Sequence, residues 1–351
     1  MRALDETGNA RTATNRPAFL PQALAFSAHM FPWSCNLPRE RYDSREPVSK
    51  KKIPGNRSRQ GATDSPGNRH SDSMGDKIST MNKNQPGILG RIRIGLFALG
   101  LNVSRQTPAA EVLGLIEKLR PMDCGKELIR IGKAGDGGYL IPNDLKGIEY
   151  CFSPGVNTVS DFENHLADLH IRSFLADYSV AAPPIARPEF IFDKKFLGAS
   201  DRDPYFTLQT WKDKYLKDYP GDLILQMDID RCEYEVIFNI PDSLLNQFRI
   251  MVIEFHDLEK LFDPFSFTLM SSCFEKILKF FHVVHIHPNN CHTEVSRRGA
   301  VEVPKIMEFT FYNKRRVRDA RAQTVFPHQL DEDNTALLPS VRLPVCWYSS
   351  T

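Results

Sequence analysis

The chain has 351 residues, of which 41% are hydrophobic and 25% charged, a composition typical of a soluble globular protein with a sizeable core. Its 45 Lys and Arg residues nearly balance 43 Asp and Glu residues, so no overall basic field predicts a specific nucleic-acid partner. The apolar run at 95–103 is too short to span a bilayer. Seven cysteines without a CxxC pair indicate buried thiols, and we expect a cytoplasmic protein.

Residues 1–105 are predicted to form a disordered or weakly ordered basic tail. Residues 1–90 carry 14 Lys and Arg against 8 Asp and Glu. They show no sustained apolar period, so they cannot bury enough surface to offset their ordering entropy. A basic arm for nucleic acid or anionic lipid is one interpretation, and an extension without function is the favoured one. The ordered domain is expected over 106–351.

The first ordered elements are expected to be a helix and a hairpin. In the run 107–120, Thr107 is predicted as the N-cap and Pro108 as the first helical residue, and apolar side chains then recur at helical spacing. The run 128–142 contains two short apolar stretches around a Gly-rich turn, which predicts a β-hairpin. Its turn is interpreted as a structural one, with a lid over the sheet edge as the alternative.

Strand-like and helical runs then alternate to residue 313. The strand-like runs span 148–154, 171–178, 189–198, 222–230, 248–256, 281–287 and 305–313, and the helical runs span 159–170, 205–219 and 264–281. Asp263 is expected to cap the last of these helices, with Pro264 at its first position. Strands that alternate with helices predict an α/β fold with a parallel sheet covered on both faces.

Ligands of open α/β sheets bind at the carboxyl ends of the strands, so the residues at those ends are the candidates. The turn 153–158 follows the first strand of the sheet and could direct backbone N–H groups at a ligand. Asp177 follows the second strand, 22 residues after Gly155, where a Rossmann-like site binds ribose hydroxyls. A turn or capping role for Asp177 stays open.

The fourth strand ends in two acids. Strand alternation places Asp228 and Asp230 on one face. Asp230 and Glu233 also have the spacing of a capping box for the next helix. That interpretation leaves Asp228 unexplained, because a carboxylate at the end of a core strand needs a partner such as an amine, a hydroxyl, a metal or a lysine.

Polar residues also end the fifth and sixth strands. His256 is a candidate general base, or alternatively a histidine held in a turn, and Glu254 precedes it. His287 lies in the run 282–292, whose histidines and cysteine match no tight metal-ligand spacing. We therefore predict no metal site there and interpret His287 as a substrate contact or a packing residue.

Five motifs in order resemble the FkbM-type family of class I S-adenosylmethionine-dependent methyltransferases: "RIGKAGDGGYLIP", "SPGVNTVSDFENHLAD", "FLADYS", "LQMDIDRCEYEV" and "MVIEFH". The resemblance covers about residues 107–314. It implies a Rossmann-like sheet with an antiparallel last strand, and S-adenosyl-L-methionine as cofactor. The residues that it places against the cofactor are Ser153, Pro154, Gly155, Asn157, Asp177 and Asp228.

The sequence departs from the family pattern after the fourth strand. The family reads Asp-x-Glu-Gly-x-Glu, whereas this chain has Asp230 for the glutamate and Arg231 for the glycine. Glycine at such a position indicates positive φ or a close backbone approach. Arg231 is expected either to pair with Asp228 or Asp230 and quench the site, or to recruit an anionic substrate.

The favoured hypothesis is an O-methyltransferase that acts on a hydroxyl of a sugar or small metabolite. Asp228 or His256 would be the catalytic base, and Asp230, Glu254 and His287 would face the small-molecule or glycan acceptor. A degenerate fold that binds the cofactor or a nucleotide without turnover is the alternative. A metal-dependent hydrolase that uses the same acids and His256 is a third hypothesis.

Overall fold

The computed structural model of the protein describes residues 87–101 and 103–349. The helices are α1 Ile88–Ala98, α2 Ala109–Leu119, α3 Asp161–Asp168, α4 Leu208–Leu216, α5 Glu233–Asn239, α6 Asp242–Leu245 and α7 Pro264–Leu278. The strands are β1 Met122–Asp123, β2 Leu128–Ile131, β3 Tyr139–Pro142, β4 Tyr150–Pro154, β5 Arg172–Ala176, β6 Phe190–Asp193, β7 Phe196–Leu197, β8 Tyr205–Phe206, β9 Leu223–Met227, β10 Phe248–Phe255, β11 Phe281–Pro288, β12 Val295–Arg298, β13 Val301–Pro304, β14 Met307–Asn313 and β15 Arg321–Ala322.

Seven of these strands form the central sheet, in the order β11-β14-β10-β9-β4-β5-β6. Strands β4, β5, β6, β9 and β10 are parallel to their neighbours in this group. The last strand, β14, is antiparallel to both β10 and β11. The predicted Rossmann-like class I methyltransferase sheet, mostly parallel with an antiparallel last strand, is therefore confirmed.

Helices cover both faces of this sheet, as predicted. Helices α2, α4, α5 and α7 pack over the larger core, whereas α3 and the β2–β3 hairpin pack over the smaller one. Alternate residues of β9 enter opposite cores: Leu223 and Leu225 the larger, Ile224 the smaller. All five residues of β9 are buried, as expected for a central strand covered on both faces.

Three local predictions are wrong. Pro108 is the N-cap of α2, and the Thr107 hydroxyl is buried without a hydrogen-bond partner. The run 189–198 divides into β6 and β7, and β7 pairs with β8 instead of joining the central sheet. Strand β9 ends at Met227 rather than at residue 230. The Asp263 cap is confirmed, because its side chain accepts a hydrogen bond from the Ser266 N–H group at 2.9 Å.

Most of the predicted tail, residues 1–86, lies outside the described residues. Within its remainder, α1 is an 11-residue helix with no buried side chain. Of the described helices, none combines the length and apolar character needed to cross a bilayer. The domain boundary near residue 105 stays a prediction.

Candidate functional site

The carboxyl ends of β4, β9 and β10 carry strained loops. Five non-glycine residues of the described chain have positive φ. Four of them follow these strands: Asn157, Asp230, Arg231 and Asp257. Such backbone conformations cost about 1–3 kcal/mol each and cluster at functional sites. This edge of the sheet is therefore the candidate site on backbone geometry alone.

Gly155 joins the loops at the ends of three strands. Its N–H group donates to the Ala176 carbonyl at 2.9 Å. It has a φ of +89°, and a Cβ added to it would lie 1.6 Å from the carbonyl oxygen of Asp228. Only glycine allows this approach. The turn after β4 is consequently fixed beside both Asp177 and Asp228, as the cofactor prediction requires.

Asp177 braces the turn from the end of β5. Its Oδ2 accepts from the Asn157 N–H group at 2.8 Å, and its Oδ1 accepts from the N–H and hydroxyl groups of Ser179 at 2.7 and 2.6 Å. A carboxylate offers about four acceptor positions, so three are filled and one on Oδ2 is open, in a residue that is 5% exposed. These hydrogen bonds give Asp177 a role in the turn, and its contact with ribose hydroxyls stays a prediction.

Ser153 belongs to a buried network beneath the turn. Its Oγ contacts Glu163 Oε1 and lies 2.6 Å from Gln226 Oε1. A hydroxyl donates only one proton, so two acceptors beside it require a second proton. Burial raises the pKa of Glu163 to about 7, which is consistent with a protonated Glu163. The Ser153 side chain therefore faces this network, and Pro154 is the buried last residue of β4.

Carboxylates surround His256 just beyond the end of β10. Its Nδ1 lies 3.1 Å from Glu233 Oε1. Its Nε2 lies 3.5 Å from Glu254 Oε1 and 3.9 Å from an Oδ1 atom of both Asp228 and Asp230. Glu233, Glu254 and His256 are buried, Asp228 is one-third exposed, and Asp230 is largely exposed. The structure thus brings four of the predicted site residues together.

Two residues that the sequence analysis did not assign to the site hold this cluster in place. Asn289, which follows β11, directs its amide nitrogen at both Glu254 oxygens, at 3.1 and 3.2 Å. Glu233 accepts from the N–H groups of Ile229 and Arg231 at 3.2 Å each. The capping-box interpretation of Asp230 is wrong, because Cys232 is the N-cap of α5. Glu233 instead closes the preceding loop and orients His256.

The cluster shifts the ionisation of its members. Burial raises the pKa of both Asp228 and Glu254, and the neighbouring carboxylates raise it further. Burial lowers the pKa of His256, but the Glu233 hydrogen bond and the surrounding negative charges outweigh it and raise this pKa to about 10. His256 therefore keeps its proton at neutral pH, so Asp228 is the better placed of the two candidate bases.

Arg231 pairs with neither of its expected partners. Its Nε lies 3.1 Å from Asp257 Oδ2, and Asp257 also binds Lys260 at 2.6 Å. The φ of Arg231 is +83°, so the positive φ inferred from the family glycine is present. Arg231 consequently leaves the carboxylates of Asp228 and Asp230 free of quenching.

Replacing Arg231 with glycine should raise the free energy of unfolding by about 1 kcal/mol, because glycine adopts this backbone conformation without steric cost. Arg231→Ala is the matched control, since it removes the same ion pair but keeps Cβ. Both variants lose this half-exposed pair, so its contribution cancels in the comparison. Urea denaturation would compare the two variants, and equal stabilities would contradict the strain argument.

His287 contacts the C-terminal segment. His287 Nδ1 and His285 Nε2 lie 3.7 and 2.9 Å from the two carboxylate oxygens of Asp331. Its predicted role as a substrate contact stays a prediction. Two surface cavities of about 470 and 200 Å³ lie elsewhere, lined mainly by α2, α7 and β11 and by β1–β3.

No protein-family model and no curated protein matches the chain. Among solved structures, the fibrillarin/Nop5p complex matches with a TM-score of 0.30 and 15% identity over 48% of this chain and 74% of that chain. A protein described as a DNA modification methyltransferase encoded within a prophage of E. coli matches with a TM-score of 0.33 and 9% identity, over 52% of each chain. These similarities are too weak to carry an argument about function, and the FkbM resemblance stays a hypothesis.

Proposed function

We propose that the protein is an S-adenosylmethionine-dependent methyltransferase that acts on a hydroxyl of a sugar or small metabolite. The observation that carries the proposal is the contact of Gly155 with the Asp228 backbone, beside the Asp177–Asn157 hydrogen bond. It joins the three segments to which the sequence assigned the cofactor. They meet at the carboxyl ends of β4, β5 and β9, where ligands of this sheet class bind.

The residues fit the proposed cofactor. S-adenosylmethionine would supply a methyl group on a positively charged sulfonium centre. Asp228, Asp230 and Glu254 give this edge of the sheet a negative potential that favours a cation. Asp177 retains an acceptor position for a ribose hydroxyl, and Asn157 lies beside it in the turn.

The proposed roles of the acceptor-side residues follow from their ionisation. Asp228 is the proposed base for the acceptor hydroxyl, because burial raises its pKa and one-third of its side chain is exposed. His256, held by Glu233, carries a proton and orients Asp228 and Glu254. Asp230, Glu254 and His287 are proposed to contact the acceptor.

Binding without turnover is the second candidate function. The observation that favours it is the replacement of the family glycine by Arg231, which leaves strain in the loop after β9. The pairing of Arg231 with Asp257 weakens this candidate, because Arg231 then forms no ion pair with Asp228 or Asp230. Cofactor binding without methylation of any acceptor would favour this candidate over the methyltransferase.

Calorimetric titration of S-adenosylmethionine and S-adenosylhomocysteine into the full chain tests the proposal. We expect micromolar binding and at least a tenfold loss of affinity in Asp177→Asn. Asp168→Asn, at the exposed end of α3, is the control and should bind as wild type. Circular dichroism would establish that each variant is folded. Absence of binding to the folded wild-type protein would contradict a cofactor-dependent function.

A small-molecule or glycan acceptor, rather than a specific nucleic acid, is part of the proposal. So is a cytoplasmic location. Six cysteines in the described residues are free thiols, which is compatible with a reducing compartment.

A further inference from the structure

Asp228, Glu254 and His256 have the geometry of a metal site. Each offers one ligand atom, and these three atoms lie within 4.8 Å of one another. Two ligands of one ion, each about 2.0–2.2 Å from it, lie at most about 4.4 Å apart. The distances of 3.5 and 3.9 Å from His256 Nε2 already satisfy this limit. The Asp228–Glu254 separation needs to close by at most about 0.4 Å, and the partly exposed Asp228 has room to move.

The imidazole is oriented for coordination. Glu233 lies beside Nδ1 of His256, so a metal ion that displaces the Nε2 proton of the imidazolium leaves the tautomer that presents Nε2 to it. His256 is 8% exposed, and no hydrogen bond of the described residues uses its Nε2. This ring nitrogen thus faces the carboxylates of Glu254 and Asp228 at 3.5 and 3.9 Å without a hydrogen bond to either. Asn289 likewise holds Glu254, as residues behind metal ligands commonly do.

The excess of carboxylates in the cluster also favours a cation. Four carboxylates lie within 4 Å of the imidazole: Asp228, Asp230, Glu233 and Glu254. One imidazolium neutralises a single charge, and Arg231 pairs with Asp257 instead. Buried charges are costly unless they are paired or coordinate a metal. A divalent ion that replaces the Nε2 proton of the imidazolium would add one net positive charge to the cluster.

We propose that Asp228, Glu254 and His256 bind a divalent first-row transition-metal ion, with Glu233 and Asn289 as orienting residues. One imidazole nitrogen and two carboxylates suit Mn²⁺, Fe²⁺, Co²⁺ or Zn²⁺, whereas Mg²⁺ and Ca²⁺ prefer oxygen ligands alone. The favoured hypothesis of the sequence analysis assigned no metal ligand, and a metal at these residues entered only with the hydrolase hypothesis. It does not depend on methyl transfer.

Titration of the metal-free full chain with MnCl₂, followed by the electron paramagnetic resonance signal of free Mn²⁺, tests the proposal. We expect one site, with affinity at least tenfold weaker in Glu254→Gln and His256→Gln. Glu163→Gln is the matched control, because it makes the same carboxyl-to-amide change at a buried residue outside the cluster. Co²⁺ or Zn²⁺ should displace Mn²⁺, and excess Mg²⁺ should not.

Thermal-shift measurements distinguish a variant that has lost the metal site from a variant that has lost its fold. Glu254→Gln should melt at about the temperature of the metal-free wild type, because the amide has the size of the carboxyl group and its oxygen still accepts from Asn289. It should also lose the rise in Tm that Mn²⁺ gives the wild type. Absence of Mn²⁺ binding to the folded wild type, or equal binding by Glu254→Gln and wild type, would overturn the proposal. Titration of S-adenosylmethionine without metal reports separately on the proposed function.

Discussion

Alanine at position 155 should destabilise the protein by about 3 kcal/mol or more and abolish cofactor binding. Two costs add: a left-handed backbone costs a residue with Cβ about 1–2 kcal/mol, and forced overpacking costs about 1–3 kcal/mol. The second cost arises because the new Cβ would lie 1.6 Å from the Asp228 carbonyl oxygen. The loop after β4 or the loop after β9 must therefore move.

Gly147→Ala provides the matched control for this prediction. Gly147 has a φ of +80°, close to the +89° of Gly155, but no atom lies within 4 Å of its added Cβ. This variant should lose only the backbone cost of about 1–2 kcal/mol. Urea denaturation gives both losses, and calorimetry with S-adenosylhomocysteine gives the affinities. Equal destabilisation by the two substitutions would show that contact with Asp228 is unimportant.

Glu163→Gln should remove a pH dependence of stability worth about 3 kcal/mol, since each pKa unit corresponds to about 1.4 kcal/mol. Burial raises the pKa of Glu163 from 4.5 to about 7. The folded state therefore holds a proton that the unfolded state releases. Protonated Glu163 contributes its full stability below about pH 4.5, and this contribution is lost as the pH rises through about 7. Glutamine keeps a donor for Ser153 at every pH.

The measurement is urea unfolding of wild type and Glu163→Gln from pH 4 to pH 8. The difference between the two proteins isolates residue 163 from other titrating groups. The free energy of unfolding of Glu163→Gln should rise relative to that of the wild type as the pH increases above 4.5. At pH 8 the variant should be the more stable protein. A difference that stays constant with pH would mean that Glu163 is ionised in the folded protein.

The central sheet could be predicted from the sequence because a strand that is buried on both faces consists of a continuous apolar run. Continuous apolar runs marked β9 and β10, and Asp263 with Pro264 marked the start of α7. Predictions failed where more than one residue could begin or end the same helix or strand. Thr107 is a good cap by type, yet α2 begins one residue later. The run 189–198 contains two adjacent lysines at which one predicted strand divides in two.

The sequence identified several residues of the candidate site but not the contacts between them. Asp228 and His256 were identified by their position after buried strands, and Glu254 by its position at the polar end of β10. Glu233 has a capping-box spacing, so only the fold reveals that its carboxylate turns toward His256. Asn289, which follows β11, approaches Glu254 although the two residues are 35 positions apart in sequence. No local pattern encodes such a contact, because the sheet order determines it.

The position of β4 beside β9 has a kinetic consequence. These central strands are hydrogen-bonded neighbours, although β5 to β8, α3 and α4 lie between them in the chain. Closing so long a loop costs entropy before the strand pair stabilises the chain. The hairpins can form early from local contacts, whereas the central pair must form by a slow, non-local step. Gly155 and Asp228 come into contact only where β4 pairs with β9. A partly folded chain therefore lacks the candidate site, and ligand binding requires the completed sheet.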